Sequence, residues 1–159
     1  SLLGKYMPLH QKSLALTYPG NIPDDFFRHY LRAYIDGDGT IGISKSQRVV
    51  HGRKKYYFTT RLRILGTKDF LTGLTKAIDR LIGIAPVKVQ PKGKERVWYI
   101  EYHGKSADAI LEEVYRDAEF FIERKFRVWR YIKENPHELP KIFGKPDGRL
   151  NHRAKTGTL

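Results

Sequence analysis

Apolar residues recur at helical spacing through DDFFRHYLRAYIDGDG, where Phe27, Tyr30, Leu31, Tyr34 and Ile35 fall on one side. The spacing predicts a helix over 25–36, with Asp24 or Asp25 placed to cap its first turn. The pattern then changes period. GTIGISKSQRV alternates, so Ile41 and Ile43 point one way and Ser44, Ser46 and Arg48 the other. After the turn residues HGRKK, the run KYYFTTRLRIL predicts the clearest strand in the chain. Tyr56, Phe58, Thr60, Leu62 and Ile64 share one face, and Lys55, Tyr57, Thr59, Arg61 and Arg63 share the other. GTKDFLTGLTKAIDRLIG returns to helical spacing, with Phe70, Leu71, Leu74, Ile78 and Leu81 inward and Gly83 as a stop. APVKVQPKGKERVWYIEYHG reads as a hairpin: a strand over 87–91, a basic turn through Lys92 and Lys94, and a strand over 96–103. KSADAILEEVYRD and AEFFIERKFRVWRYIKEN predict further helices, the last ended by Pro136.

The order α-β-β-α-β-β-α-α is an α+β class. Its two hairpins can join into one four-stranded antiparallel sheet with helices on one face, and the last helix and tail lie beyond an α-β-β-α-β-β-α core. The uncovered face would then carry Ser44, Ser46, Arg48, Lys55, Tyr57, Thr59, Arg61, Arg63, Lys88 and Gln90. Residues 1–23 read as an irregular arm, 24–136 as the folded domain, and 137–159 as a basic, Gly-containing tail.

Charge sharpens this reading. The chain of 159 residues carries 30 Lys+Arg against 17 Asp+Glu, a formal net charge of +13. Such an excess on one domain points to a polyanionic partner, above all nucleic acid. The outward charges of the second strand are all positive. A β-ribbon fits the DNA major groove, where arginines, hydroxyls and amides read base edges, while lysines on turns such as Lys92 and Lys94 would neutralise phosphates. Cysteine is absent, which excludes disulfides and cysteine-ligated metals. The six histidines do not cluster at metal spacing. No apolar run is long enough to span a membrane and no secretory signal is seen, so an intracellular, non-secreted protein without a membrane partner is expected. Gly-rich phosphate loops and nucleophile-elbow patterns are absent, and no small-molecule substrate is expected.

One stretch resists a purely structural reading. Asp36-Gly37-Asp38-Gly39 places paired carboxylates at the C-terminal end of an apolar helix. That end already carries partial negative charge, so acids there are unfavourable unless a cation offsets them. Asp-Gly is also a common turn pair. The nonapeptide LRAYIDGDG, Leu31 to Gly39, resembles without gaps the motif that names the LAGLIDADG homing endonucleases, and the element order over roughly 24–133 resembles that family's core.

The resemblance implies a site-specific DNA endonuclease that breaks double-stranded DNA by metal-dependent phosphodiester hydrolysis. It implies that Asp38, joined by the backbone carbonyl of Gly37, binds a divalent ion, Mg²⁺ by its oxygen ligands, and that Asp36 is structural. It implies close packing of two motif helices through Tyr30, Ala33, Tyr34 and Gly37. With one motif in these residues, the active form would be a homodimer on a nearly palindromic site. FIERKF matches the family's basic position and puts Lys125 there, where it would stabilise developing charge. The sequence departs from the family in two places. A water-orienting Gln is replaced near Gly66 and Thr67, and Thr67 can either hold a water or cap the following helix. Arg32 stands where the family prefers a small residue. The alternative is a non-catalytic nucleic-acid-binding protein on the same fold, an RNA maturase or a transcription regulator.

Overall fold

The computed structural model describes residues 15–93, 96–136 and 139. Helix α1 spans Asp24–Asp38 and runs directly into strand β1, Gly39–Val50. Strand β2 is Arg53–Gly66, helix α2 Lys68–Ile82, strand β3 Gln90–Pro91 and strand β4 Trp98–His103. Helices α3, Gly104–Tyr115, and α4, Glu123–Glu134, follow. The strands form one antiparallel sheet in the order β1-β2-β4-β3.

The β1–β2 hairpin pairs without interruption from Gly39↔Ile64 to Val50↔Arg53. Its two-residue turn, His51-Gly52, has positive φ at both positions, 50° and 71°. That is the turn whose twist matches the flanking strands. The alternation predicted along β2 holds from Thr60 on, where Thr60, Leu62 and Ile64 are buried, whereas Tyr56, nearer the hairpin turn, is 46% exposed. Leu62 and Ile64 meet Ile100 and Tyr102 of β4, Leu31 and Ile35 of α1, Phe70, Leu74 and Ile78 of α2, and Ile110, Leu111 and Val114 of α3 in one core. The helices therefore cover one sheet face and leave the other open. Thr67 caps α2 by accepting the Phe70 N–H, and Gly83 ends that helix in the left-handed region at φ 78°. Among the described residues, no helix is long and apolar enough to cross a membrane.

Four expectations are corrected. The predicted strand 87–91 shrinks to Gln90–Pro91, because Val87 N–H turns away to the Thr75 hydroxyl and Pro91 has no N–H to donate. The last helix starts at Glu123, after an irregular segment whose Ile122 N–H goes to the Asp36 carboxylate. Neither Asp24 nor Asp25 caps α1. Pro23 holds the cap position, and Asp24 pairs with Arg80 instead. Helix α1 also continues to Asp38, past the predicted end at 36.

The arm is not wholly detached. Tyr18 sets its ring edge-on to Tyr30 and tilted to Phe70, and a Cβ on Gly73 would lie 2.4 Å from the Tyr18 Cβ. Gly73 thus admits the arm against α2. Lys94 and the basic tail from Lys141 onward lie outside the described residues.

Candidate functional site

The junction of α1 and β1 explains the Asp-Gly-Asp-Gly run residue by residue. Asp36 turns inward: Oδ1 accepts from the Tyr115 hydroxyl at 3.2 Å and Oδ2 from the Ile122 N–H at 3.0 Å. It thereby ties the end of α1 to the end of α3 and the start of α4, satisfying an N–H that α4 would otherwise leave orphaned. Gly39 is buried, and a Cβ there would lie 2.5 Å from the Ile35 carbonyl oxygen. Only glycine lets the chain double back from helix to strand this closely. Gly37 is different. A Cβ on it would meet nothing within 4 Å, so the single chain does not require glycine there.

Lys125, in the first turn of α4, reaches across to the same junction. Its Nζ donates to the carbonyls of Ile35 at 2.8 Å, Asp36 at 2.6 Å and Gly39 at 2.7 Å. Three acceptors match the three protons of an ammonium group. The cation sits where the α1 macrodipole is negative. Burial pushes the Lys125 pKa below its ordinary value; the Asp36 carboxylate pulls it up, Arg124 pushes it down and Asp38 pulls it up, with a net downward shift. The lysine therefore lies beside the motif, as the resemblance implies, but all its protons face backbone carbonyls.

Asp38 is exposed, and no hydrogen bond or ion pair engages its carboxylate among the described residues. With Asp36 committed inward and Lys125 neutralising the helix end, Asp38 is the acid left facing outward. Its donor chemistry fits a hard divalent ion in part. Mg²⁺ uses one or two carboxylates and otherwise water and phosphate oxygens, and Asp38 with neighbouring backbone oxygen is such a partial set. Among the described residues no group of three or more acidic, His or Cys side chains could hold a metal alone. Water or other oxygen ligands would have to complete the shell.

Thr67 is otherwise occupied. Besides capping α2, its hydroxyl donates to the Leu16 carbonyl, so its proton and one of its acceptor sites serve the packing of the arm and the helix. Arg32 also finds a structural place: Nη1 donates to the Val114 carbonyl at 2.7 Å near the end of α3, and Nη2 contacts His29 Nδ1 at 2.8 Å.

One face of α1 is left open by the described residues. Phe26 is 63% exposed, and Ala33 and Gly37 are exposed along the same side. Beside them Phe120 is 84% exposed, and with Phe121 and Ile122 it lines a groove shared with His29, Arg32, Ala33 and Asp36. Tyr30 is half-buried at the margin of this face. Tyr34 turns the other way: its ring stacks on Phe70 at 4.4 Å and its hydroxyl donates to the Leu65 carbonyl. It packs within the chain, not on the open stripe.

The open sheet face gathers most of the residues expected there. Ser44, Ser46 and Arg48 of β1 stand opposite Thr59, Tyr57 and Lys55 of β2, and Arg61 and Arg63 continue the row. The Arg48 guanidinium lies over the Tyr57 ring at 5.3 Å. Gln90 accepts from the Tyr99 hydroxyl at the far edge. Lys88 and Lys92 are exposed on either side of β3. Sequence reasoning missed Glu101 and His103, although alternation in WYIEYH sets both, with Tyr99, on this face. Arg63 Nε donates to Glu101 Oε2, and His103 Nε2 lies 3.1 Å from Glu101 Oε1.

No protein-family profile matches the chain, and no curated protein matches it in sequence. Solved structures do. The group I intron-encoded homing endonuclease I-CeuI, complexed with DNA, is 8% identical, with 92% of this chain and 70% of that chain covered at a TM-score of 0.55. I-SmaMI, bound to an uncleaved DNA target in the presence of calcium ions, is 14% identical over 86% of this chain and 44% of its own, with a TM-score of 0.54. I-LtrWI, a LAGLIDADG homing endonuclease bound to target DNA, is 11% identical over 79% of this chain and 42% of its own, with a TM-score of 0.53. At these identities the likeness is one of fold.

Proposed function

We propose that this chain, which has the fold of the LAGLIDADG homing endonucleases, is a double-stranded-DNA endonuclease that depends on a divalent metal and acts as a homodimer. The observation that carries the reading is the Asp38 carboxylate. It is the exposed acid at a helix end whose other acid is engaged by Tyr115 and Ile122 and whose Ile35 and Asp36 carbonyls, with that of Gly39, accept from Lys125. An acid kept there without a partner is accounted for by a cation. A divalent ion bound there would stabilise charge on a scissile phosphate and lower the pKa of bound water.

The chain's own residues divide the remaining work. Lys125 and Asp36 hold the α1–β1 junction so that Asp38 projects from a rigid base. The sheet face binds the duplex, with Ser44, Ser46, Tyr57, Arg61, Arg63 and Gln90 toward base edges and Arg48, Lys55, Lys88 and Lys92 toward phosphates. The exposed stripe of Phe26, Ala33 and Gly37, with Phe120 beside it, takes the same stripe of a second copy. This supplies the second Asp38 needed for the second strand and predicts a nearly palindromic target.

A second reading, a non-catalytic nucleic-acid-binding protein on this fold, is favoured by the commitment of the Thr67 hydroxyl to its cap and to the Leu16 carbonyl. One experiment separates them. A target is selected from random duplex, and a plasmid carrying it is incubated with protein and Mg²⁺. Cleavage by the wild type, lost in Asp38→Asn with binding retained, is the expected result. Tight binding without cleavage by the wild type assigns the second reading.

A further inference from the structure

Glu101 is the one carboxylate on the open face of β1, β2 and β4 among the described residues. On a surface that meets a polyanion, a carboxylate repels the ligand. It therefore calls for a reason. The register sets Arg63 directly opposite Glu101, and Arg61 opposite His103. Arg63 Nε donates to Glu101 Oε2, and the Arg63 guanidinium lies over the Tyr99 ring at 4.6 Å. The Glu101 side chain is only 15% exposed, whereas Arg63 keeps 34%. Neither Nη group of Arg63 makes a hydrogen bond among the described residues.

Arg61, two positions along the same face, lacks this support. Its Nε is buried without an acceptor, and its guanidinium lies over Gly42, with Nη2 3.3 Å from where a Cβ would be. Two neighbouring arginines thus have opposite preparation: one is clamped by a carboxylate and an aromatic ring, the other is held by neither.

We propose that Glu101 is a positioning residue for sequence readout, holding Arg63 so that its two Nη groups present a fixed fork to a guanine edge in the major groove. This rests on the reading of the sheet as a DNA-binding face. Three physical consequences follow from the clamp. Rotamer freedom is removed from Arg63 before binding, which lowers the ordering cost on the correct base. The free Nη edge matches the paired guanine acceptors O6 and N7. The Glu101 charge also opposes capture of Arg63 by phosphates, which carry no sequence information. Glu101 thereby gives up general affinity for discrimination.

The test compares the full-length wild type with Glu101→Gln, Arg63→Ala, Arg63→Lys and Arg61→Ala by selection from random duplex and by titration of selected and random DNA. Arg63→Ala is expected to lose preference for one G·C pair per half-site, by roughly tenfold. Glu101→Gln is expected to lose preference at that same pair while binding random duplex several-fold more tightly, on the order of one extra phosphate contact per protomer in its salt slope. Arg63→Lys keeps the charge but not the clamped fork. It should lose the same pair with random binding nearly unchanged, and it serves as the readout if Glu101→Gln unfolds the domain. Arg61→Ala should change a different position. Preference at the Arg63 pair surviving in a folded Glu101→Gln, or surviving in Arg63→Lys, or an even loss at every position, overturns the proposal while leaving the DNA-binding face intact. A wild type that binds no duplex or selects no sequence removes the underlying reading and the proposal with it.

Discussion

At the scale of the residue, the pair Asp36–Tyr115 joins three elements and makes the fold sensitive to alkali. The Tyr115 ring stacks on Trp129 and meets Phe126 and Phe121, and its hydroxyl donates to Asp36. Burial, the nearby Asp36 charge and that hydrogen bond all push the phenol pKa well above its ordinary value of 10.0. The sign follows by linkage. Above about pH 10 the unfolded chain loses a proton that the folded chain retains, so stability is full below that pH and falls as pH rises toward the folded pKa. Tyr115→Phe should cost about 1 kcal/mol at pH 7 through the lost hydrogen bond, yet should flatten the decline of urea midpoints between pH 9 and pH 11. Tyr34, also pushed up by burial and by Asp38, leaves part of the slope in place. Identical slopes for the variant and the wild type would remove Tyr115 from this dependence.

Helix α1 shows how one element serves two constraints. Its inner side, with Leu31 and Ile35 fully buried, anchors the core. Its outer side leaves Ala33 and Gly37 exposed, and a Cβ on Gly37 would meet nothing within 4 Å among the described residues. Gly37 in particular is a poor helix residue kept where a Cβ has open space. Gly37→Ala should stabilise the single chain by up to about 1 kcal/mol through helix propensity. Ala33→Leu or Gly37→Leu should instead weaken self-association, because bulk inserted where two helices approach costs roughly 1–3 kcal/mol. Sedimentation velocity should show the leucine variants shifted toward monomer with native circular dichroism. Wild-type sedimentation by both would mean that this stripe is not the contact. Gly39→Ala, by contrast, should destabilise the fold itself, since its Cβ would run into the Ile35 carbonyl.

Across the whole molecule, the sequence carries a net charge of +13, and the sheet face that the helices leave open presents Arg48, Lys55, Arg61 and Arg63 in one row. Duplex affinity should therefore fall steeply with salt, by roughly 0.9 in log–log slope for each phosphate neutralised. Lys88→Gln and Lys92→Gln should weaken selected and random duplex alike and lower the slope by about one for each copy of the chain engaged. Titrations at several salt concentrations check this. A loss confined to selected DNA would place these lysines at base edges instead.

Much of this was legible in the chain because it depends on local period. Alternation assigned the inward and outward rows of β1 and β2, and helical spacing found α1 to α4. Gly83 and Thr67 marked the ends of α2, since capping acts within a turn. The nonapeptide located the α1–β1 junction. Periodicity sets which face a side chain occupies, but not which partner it meets across elements, and there the tertiary structure decided. Lys125 meets the Ile35 carbonyl across 90 positions and Asp36 meets the Ile122 N–H across 86. Packing set Lys125 against carbonyls at the end of α1 and moved the start of α4 to Glu123. It spent the strand 87–89 on Thr75 and drew Tyr34 inward onto Phe70. Glu101 lay in plain alternation, but only the pairing of β2 with β4 set it against Arg63. The sequence by itself determined the faces, because burial has the period of the backbone. The folded chain alone decided the partners, because buried donors and acceptors must be satisfied by whatever packing brings within reach.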